Sequence, residues 1–341
     1  MTSILIIANS THGGGAENSM MSLHRGFESE DIDSTFIAIN DMEDDVLVES
    51  SRVIYIGRKW EDGIKKTCSA FKRFKVEVKK HEADVLIVNC ELAELFVTFV
   101  PLKKSKLVVV EHTTKPWANR RIQGWIVRSI IKMRDANWVT VNSQEKVIWP
   151  FGESATHIPN PVGPARQGTL ITKDDSVVFV GRLRKEKCPE LVVQACLESS
   201  THISLFGEGN LGSELQTRYG HSNFVEFFGY LDSPWSRISP HSLVVVSSQY
   251  EGDGIVVLEA LQNGNPVLLR DISDLRRFDL SDHNYFKDQA HLTEKLIEFR
   301  ANPTLFNVSD SEQDRILRTR NIKDIQRQWA KLIHDLVEGT R

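Results

Sequence analysis

Glu251 and Glu259 stand eight residues apart in the run Glu251-Gly-Asp-Gly-Ile-Val-Val-Leu-Glu259, close enough to hold the hydroxyls of two different sugar rings. The preceding Leu243-Val-Val-Val-Ser-Ser reads as a strand. The following Ala260-Leu-Gln-Asn-Gly264 closes a helix on a glycine suited to a left-handed C-cap. Glu251 is thus expected in the loop leaving a strand, and Glu259 in the second turn of the next helix. Gly252 and Gly254 would let backbone approach a ligand. The amides of Gly254, Ile255 and Val256 would be orphan helix donors for an anion, and Asp253 adds a third carboxylate to the loop. One acid on a sugar, one on a ribose and a diphosphate on the amides between them is what a nucleotide sugar requires. Spacing alone equally suits two solvated acids around a helix start.

A second run, Phe179-Val-Gly-Arg-Leu-Arg-Lys-Glu-Lys-Cys-Pro-Glu-Leu191, reads as strand, turn at Gly181, and helix. It brings Arg182 and Lys187 to the lip of a sheet, where two cations could neutralise the charge that grows on a departing nucleoside diphosphate. A solvated basic loop would carry the same residues. Gly207-Glu-Gly-Asn-Leu follows another strand and makes Glu208 a candidate lining residue, or an exposed turn. Near the N-terminus, Ser10-Thr-His-Gly-Gly-Gly-Ala-Glu17 is not the G-x-G-x-x-G fingerprint. Its Gly14 and Gly15 amides could still meet a phosphate, although a plain tight turn reads the same way. His112, closing Leu107-Val-Val-Val-Glu-His, could hydrogen-bond a transferred sugar or be structural.

Elements that position these residues recur along the whole chain. Strands are expected at Ser3–Asn9, Ser34–Ile39, Val53–Ile56, Asp84–Asn89, Lys106–Glu111 and Trp138–Asn142. A second series falls at Ser176–Gly181, His202–Phe206, Phe224–Gly229, Leu243–Ser248 and Pro266–Arg270. Helices are expected at Ala16–Phe27, Trp60–His81, Gln123–Arg134 and Pro189–Ser199, the last with proline at its first position. Strands alternating with helices imply parallel sheets. The Pro- and Gly-rich stretch from Pro159 to Gly168 breaks both. We therefore expect two doubly wound domains, residues 1–160 and 176–320, a linker at 161–175, and ligand sites at strand carboxyl ends facing a central cleft.

With 341 residues, 26% charged, 40% hydrophobic and a net charge of −4, the composition is that of a soluble globular protein and argues against general nucleic-acid binding. Cys68, Cys90, Cys188 and Cys196 show no zinc or disulfide spacing, and no metal site is expected. Without a basic leader or a long apolar run, a cytoplasmic location is expected. Two tracts depart from the mean charge. Residues 59–80 carry eight Lys/Arg against three acids, and residues 112–134 carry six and none. In the second, Ile122, Ile126, Ile130 and Met133 form an apolar stripe, and Arg121, Trp125, Arg128 and Lys132 a basic one, as in an amphipathic helix. Such faces fit anionic membrane and equally fit solvated helices.

Taken together, Gly13-Gly-Gly-Ala-Glu17, Val180-Gly-Arg-Leu-Arg-Lys-Glu-Lys187, Phe206-Gly-Glu-Gly209, Phe227-Phe-Gly-Tyr230, Tyr250-Glu-Gly-Asp-Gly-Ile-Val-Val-Leu-Glu-Ala260 and Asn263-Gly-Asn-Pro-Val267 resemble the retaining GT-B glycosyltransferases of family 4, over nearly the whole chain. The resemblance implies two Rossmann-like domains, the donor in the C-terminal one, the acceptor in the N-terminal one, and no cofactor or metal. It also implies a C-terminal helix, here residues 321–341 with Ile325, Trp329, Ile333 and Leu336 at helical spacing, returning to the first domain. By matching position, Arg182 and Lys187 would hold the diphosphate, Glu251 the donor sugar and Glu259 the ribose, with His112 beside the transferred sugar and Gly14 and Gly15 near phosphate. The implied reaction moves a sugar from a nucleoside-diphosphate sugar, UDP-linked by expectation, to a glycan or lipid-linked acceptor in bacterial surface-polysaccharide assembly (O-antigen, capsule or lipopolysaccharide), at the inner face of the cytoplasmic membrane. Rival readings are a GT-B nucleotide-sugar epimerase and a catalytically silent membrane-surface scaffold. Cys188 stands where the family has glycine, Asp253 where it has an aromatic or apolar residue, and Ser273-Asp-Leu-Arg-Arg277 where it has a glycine and an acid.

Overall fold

The computed structural model describes residues 2–11, 14–27, 32–40, 52–59, 61–102, 104–113, 115–142, 147–163, 168–231 and 233–339. The chain divides into two compact units, Met1–Pro161 with Ile322–Arg341, and Val162–Asn321.

In the first unit the elements in chain order are β1 (Ser3–Ala8), α1 (Gly15–Phe27), β2 (Asp33–Ala38), β3 (Val53–Tyr55), α2 (Ile64–His81), β4 (Val85–Asn89), α3 (Glu91–Thr98), β5 (Lys106–Glu111), α4 (Arg121–Lys132), β6 (Asn137–Thr140), the hairpin β7 (Val147–Ile148) and β8 (Glu153–Ser154), and β9 (Thr156–His157). The parallel sheet runs β3-β2-β1-β4-β5-β6-β9. Its central strands are apolar at nearly every position because both faces are covered. Leu5 and Ile7 pack on one side with Phe74 of α2, Phe96 of α3, and Val127 and Ile131 of α4. Ile4, Ile6 and Ala8 pack on the other with Met20 and Phe27 of α1. The C-terminal helix α11 (Ile322–Val337) joins that second layer through Ile325, Trp329, Leu332, Ile333 and Leu336.

α4 corrects the amphipathic reading of its sequence. That reading would turn the isoleucine stripe to the sheet. Instead Gly124, Val127, Arg128 and Ile131 face inward, while Ile122, Trp125, Ile126 and Met133 are exposed. Arg128, expected on a solvated basic face, is a core residue. Its guanidinium forks onto Glu94 at 2.7 and 3.0 Å, reaches Glu111 at 2.6 Å and donates to the Trp149 carbonyl at 2.9 Å. Trp117 Nε1 donates to the same Glu94 at 2.8 Å. A buried cation is tolerable only with such partners. Two acids close to one guanidinium leave Glu111, pushed up by burial, at about 7 even beside Arg128.

The second unit contains β10 (Val177–Val180), α5 (Pro189–Glu198), β11 (Ile203–Phe206), α6 (Gly212–Tyr219), β12 (Val225–Gly229), β13 (Leu243–Val246), α7 (Ile255–Gln262), β14 (Val267–Arg270), α8 (Ser273–Arg276), β15 (Tyr285–Phe286), α9 (Gln289–Ala301) and α10 (Asp310–Leu317). Its parallel sheet runs β12-β11-β10-β13-β14-β15. Chain order reverses between β10 and β13. In an open α/β sheet ligands bind beside that reversal, at the carboxyl ends of the strands.

Candidate functional site

The segments carrying Arg182, Lys187, Glu208, Glu251 and Glu259 all begin at the carboxyl ends of adjacent strands β11, β10 and β13. Close backbone packing seats the first two. Gly207 has φ +133°, and a Cβ there would lie 2.1 Å from the Gly181 carbonyl oxygen. The amides of Gly181 and Leu183 donate to Phe206 and Glu208 at 2.9 Å each, so the post-β10 and post-β11 loops form one slab. Tyr230 N reaches Glu208 Oε1 at 3.4 Å, joining the loop after β12.

The slab continues into the post-β13 loop. Ser247 Oγ donates to the carbonyls of Lys187 and Cys188 at 2.7 and 3.2 Å, and Gln249 N to Glu186 O at 2.8 Å. Lys187 Nζ then lies 2.5 Å from Glu251 Oε1, with side-chain exposures of 23% and 11%. Ser248 Oγ donates to the same oxygen at 2.6 Å. Two residues expected in one site from segments 64 positions apart are thus in direct contact. Arg182 is exposed and makes no side-chain hydrogen bond or ion pair among the described residues.

Glu259 is reached from elsewhere. Trp235, in a single 3-10 turn at Pro234–Ser236, donates Nε1 to Glu259 Oε2 at 2.9 Å. Burial pushes the Glu259 carboxyl up to about 7 despite that bond. Gly254 precedes α7 with φ +59° and Phe278 packed 3.0 Å from where a Cβ would stand, so this position takes glycine for both conformation and space. Ile255 and Val256 open α7.

Asp253 has a supporting part. Its side chain is 1% exposed, with Arg320 at 2.5 Å and Arg277 at 3.6 Å. Arg277 also donates to the Gly252 carbonyl at 2.6 Å, and Asp274 accepts the Glu251 amide at 2.8 Å. The segment Ser273–Arg277, which departs from the pattern the resemblance implies, therefore forms α8 and its C-cap and grips the Glu251–Gly254 loop. Sequence reasoning did not find Trp235, Ser247, Ser248, Asp274 or Arg277 as supports. The one available cue was Pro234, which starts the turn carrying Trp235.

Cys188 occupies φ +48°, ψ +47° at the N-cap of α5, the left-handed region that favours glycine. The backbone demand persists although the residue has changed. Arg270 Nη1 contacts its Sγ at 3.5 Å.

The other candidates belong to the first unit. His112 follows β5, and its Nε2 is buried without a hydrogen-bond partner among the described residues. Burial pushes this imidazole down to about 4, so it is neutral at physiological pH. Gly14 and Gly15 open α1, with Asn18 N bonded to Gly14 O at 3.0 Å. Glu17, buried in the first turn, already brings a carboxylate to that helix end. His12 and Gly13 lie outside the described residues. Among the described residues, no group of three or more His, Cys, Asp or Glu side chains is placed to hold a metal ion.

Two parallel Rossmann-like units of seven and six strands, with a terminal helix returned to the first, define the GT-B fold. Residues 165–299, a stretch that includes Arg182, Lys187, Glu208, Glu251 and Glu259, match the glycosyl transferases group 1 family. The fold is shared with sucrose-phosphate synthase from Thermosynechococcus elongatus, at 16% identity and TM-score 0.77 over 99% of this chain and 100% of that one. It is also shared with HepE (Alr3699) of Anabaena in complex with UDP and glucose, at 15% identity and TM-score 0.78 over 98% and 100%. In sequence, the chain is 25% identical over 157 residues to the poly(ribitol-phosphate) alpha-N-acetylglucosaminyltransferase of Staphylococcus aureus. That match covers 42% of this chain and only 31% of the relative.

Proposed function

We propose that the protein is a retaining glycosyltransferase that moves a sugar from a UDP-sugar to a glycan or lipid-linked acceptor of the bacterial cell surface. The observation that carries the reading is the contact of Lys187 with Glu251, between the loop after β10 that also carries Arg182 and the loop that leads into α7, at the strand ends where the sheet order reverses. The family match and the UDP complex of the Anabaena relative support the donor class, and the name of the staphylococcal relative supports a surface-polymer acceptor.

In this reading, Lys187 turns from Glu251 to the diphosphate when donor binds, and Glu251 accepts from sugar hydroxyls. Glu259 accepts from the ribose. The bond between the anomeric carbon and the diphosphate oxygen breaks, its electron pair staying on the diphosphate. The acceptor hydroxyl oxygen bonds to that carbon on the same face, and its proton passes to the leaving diphosphate. Arg182 and Lys187 stabilise the growing negative charge, a task worth about 2.7–4 kcal/mol per donor in comparable sites. Asp253, which departs from the pattern the resemblance implies, is paired with Arg320 inside the loop's support.

Titration calorimetry and acceptor-free hydrolysis with UDP-, GDP- and ADP-sugars test the proposal. Binding and slow hydrolysis of one UDP-sugar, reduced at least about 100-fold in Arg182→Ala, is the expected result. Failure of every nucleotide sugar to bind overturns it in favour of a scaffold. Conversion of the donor into an isomeric sugar without acceptor assigns an epimerase.

A further inference from the structure

Seven exposed large apolar residues lie on α2, α3 and α4 or at their ends, among them Ile122 at 81%, Trp125 at 54%, Ile126 at 49% and Met133 at 78% exposure. Ile122, Trp125 and Ile126 lie together on one face of α4, and Met133, which caps the helix, falls on the same face beyond the turn of Ser129. The others are Ile64 and Val76 of α2 and Phe99 at the end of α3, and Phe71 joins the helices by packing edge-on against both Phe96 and Phe99. A soluble surface scatters such residues singly; a contiguous row calls for an occupant.

Charge identifies it. Arg121 and Lys132 on α4 and Arg120 at its N-cap are exposed, and residues 112–134 contain no acid. Lys65, Lys72 and Lys79 are exposed on α2 without an ion pair among the described residues. A second copy of this face would set these cations against themselves. Nucleic acid would use the cations and leave an isoleucine and methionine row in water. An anionic bilayer satisfies both, since phospholipid headgroups meet the Lys/Arg while Trp125 and its apolar neighbours enter the acyl boundary. Among the described residues no helix is long and apolar enough to cross a membrane, so contact lies in the interfacial plane.

We infer that α4 is a membrane-interface helix, with Ile122, Trp125, Ile126 and Met133 inserted into an anionic bilayer and Arg120, Arg121 and Lys132 on its headgroups. The basic tract alone suggested attraction to membranes; the outward apolar stripe makes the contact insertion. The inference stands independently of which sugar is transferred.

Flotation of the full chain with vesicles of phosphatidylcholine alone, or with about one-third phosphatidylglycerol, tests it. Binding to the anionic vesicles only is expected, weakening as salt is raised. The variant Ile122→Ser/Trp125→Ser/Ile126→Ser, checked for an unchanged thermal transition, should bind at least about tenfold more weakly. Arg120→Gln/Arg121→Gln/Lys132→Gln should lose the anionic preference and supplies the test if the first variant misfolds. Absence of vesicle binding overturns the inference. So does binding undiminished by both variants, a concentration-dependent dimer abolished by the serine variant in a protein that ignores vesicles, or capture by RNA instead of vesicles.

Discussion

Replacing Lys187 and Arg182 separately by alanine should give equal losses of activity and unequal losses of stability. Lys187 is paired with Glu251, whereas Arg182 is exposed and unpaired among the described residues. A solvent-exposed pair contributes about 0.2–1 kcal/mol, and breaking a fully buried one costs about 3–5 kcal/mol. With exposures of 23% and 11%, the Lys187–Glu251 pair falls between these limits, so Lys187→Ala should cost about 1–3 kcal/mol. In a unit the size of Val162–Asn321 that lowers the midpoint by about 2–10 °C. Arg182→Ala should leave it within about 1 °C. Both should reduce turnover about 100- to 1,000-fold, because each removes one donor from the departing diphosphate.

The assay pairs scanning calorimetry with single-turnover transfer or hydrolysis. A cycle adding Glu251→Gln isolates the ion pair, with an expected coupling of about 1–2 kcal/mol in stability. If Lys187→Ala destabilises as predicted but keeps turnover within about tenfold, the contact is an ordinary structural salt bridge and the diphosphate assignment fails.

Cys188→Gly should stabilise the protein by about 1 kcal/mol, by relieving a left-handed residue at the start of α5, with turnover unchanged within about twofold; chemical unfolding followed by circular dichroism reads it. Gly207→Ala should do the reverse, costing about 2–4 kcal/mol and most activity, since its Cβ would strike the Gly181 carbonyl rather than a flexible side-chain end. The pH dependence should identify Glu259. Its folded value, about 7, lies above the ordinary 4.5, so its neutral form favours folding below about pH 4.5 and that contribution disappears as pH rises through 7. Ribose binding needs the charged form, so affinity for an intact UDP-sugar should rise between pH 5.5 and 7.5, and Glu259→Gln should flatten both trends. Unchanged slopes by calorimetric titration would remove the ribose role.

The central strands were legible because they are buried on both faces, which forces continuous runs such as Leu243–Val246 and Leu107–Val110. Two-residue strands such as Thr156–His157 and Tyr285–Phe286 exist only through pairing with β6 and β14 and leave no run to read. α3 went unread because it is short and begins after Cys90, with no capping side chain. The basic stripe of α4 was misread at Arg128 for a different reason. Hydrophobic periodicity assumes that the apolar face is the buried one, and here the core side includes Arg128, made acceptable by Glu94 and Glu111 from distant segments. The candidate site divides similarly: loops and glycines show locally, while the Lys187–Glu251 and Trp235–Glu259 contacts depend on strand order.

The departures from the family pattern in the donor loop are mutually dependent. An acid at 253 with its side chain almost wholly out of water would cost several kcal/mol if left uncompensated. Arg320 and Arg277 compensate it, and Arg277 caps α8 (Ser273–Arg276). Asp274 of α8 accepts the Glu251 amide and Arg277 donates to the Gly252 carbonyl, so the acid and the altered segment hold the loop together. A loop held from beneath by side chains keeps its upper amides and Glu251 available to ligand. That is the preorganisation an electrostatic site needs, because donors already in position need not reorganise as charge develops on the leaving group. Asp253 is thus a carboxylate of the candidate loop by sequence and part of its foundation by structure, and the proposed mechanism assigns the chemistry to Lys187, Arg182 and Glu251.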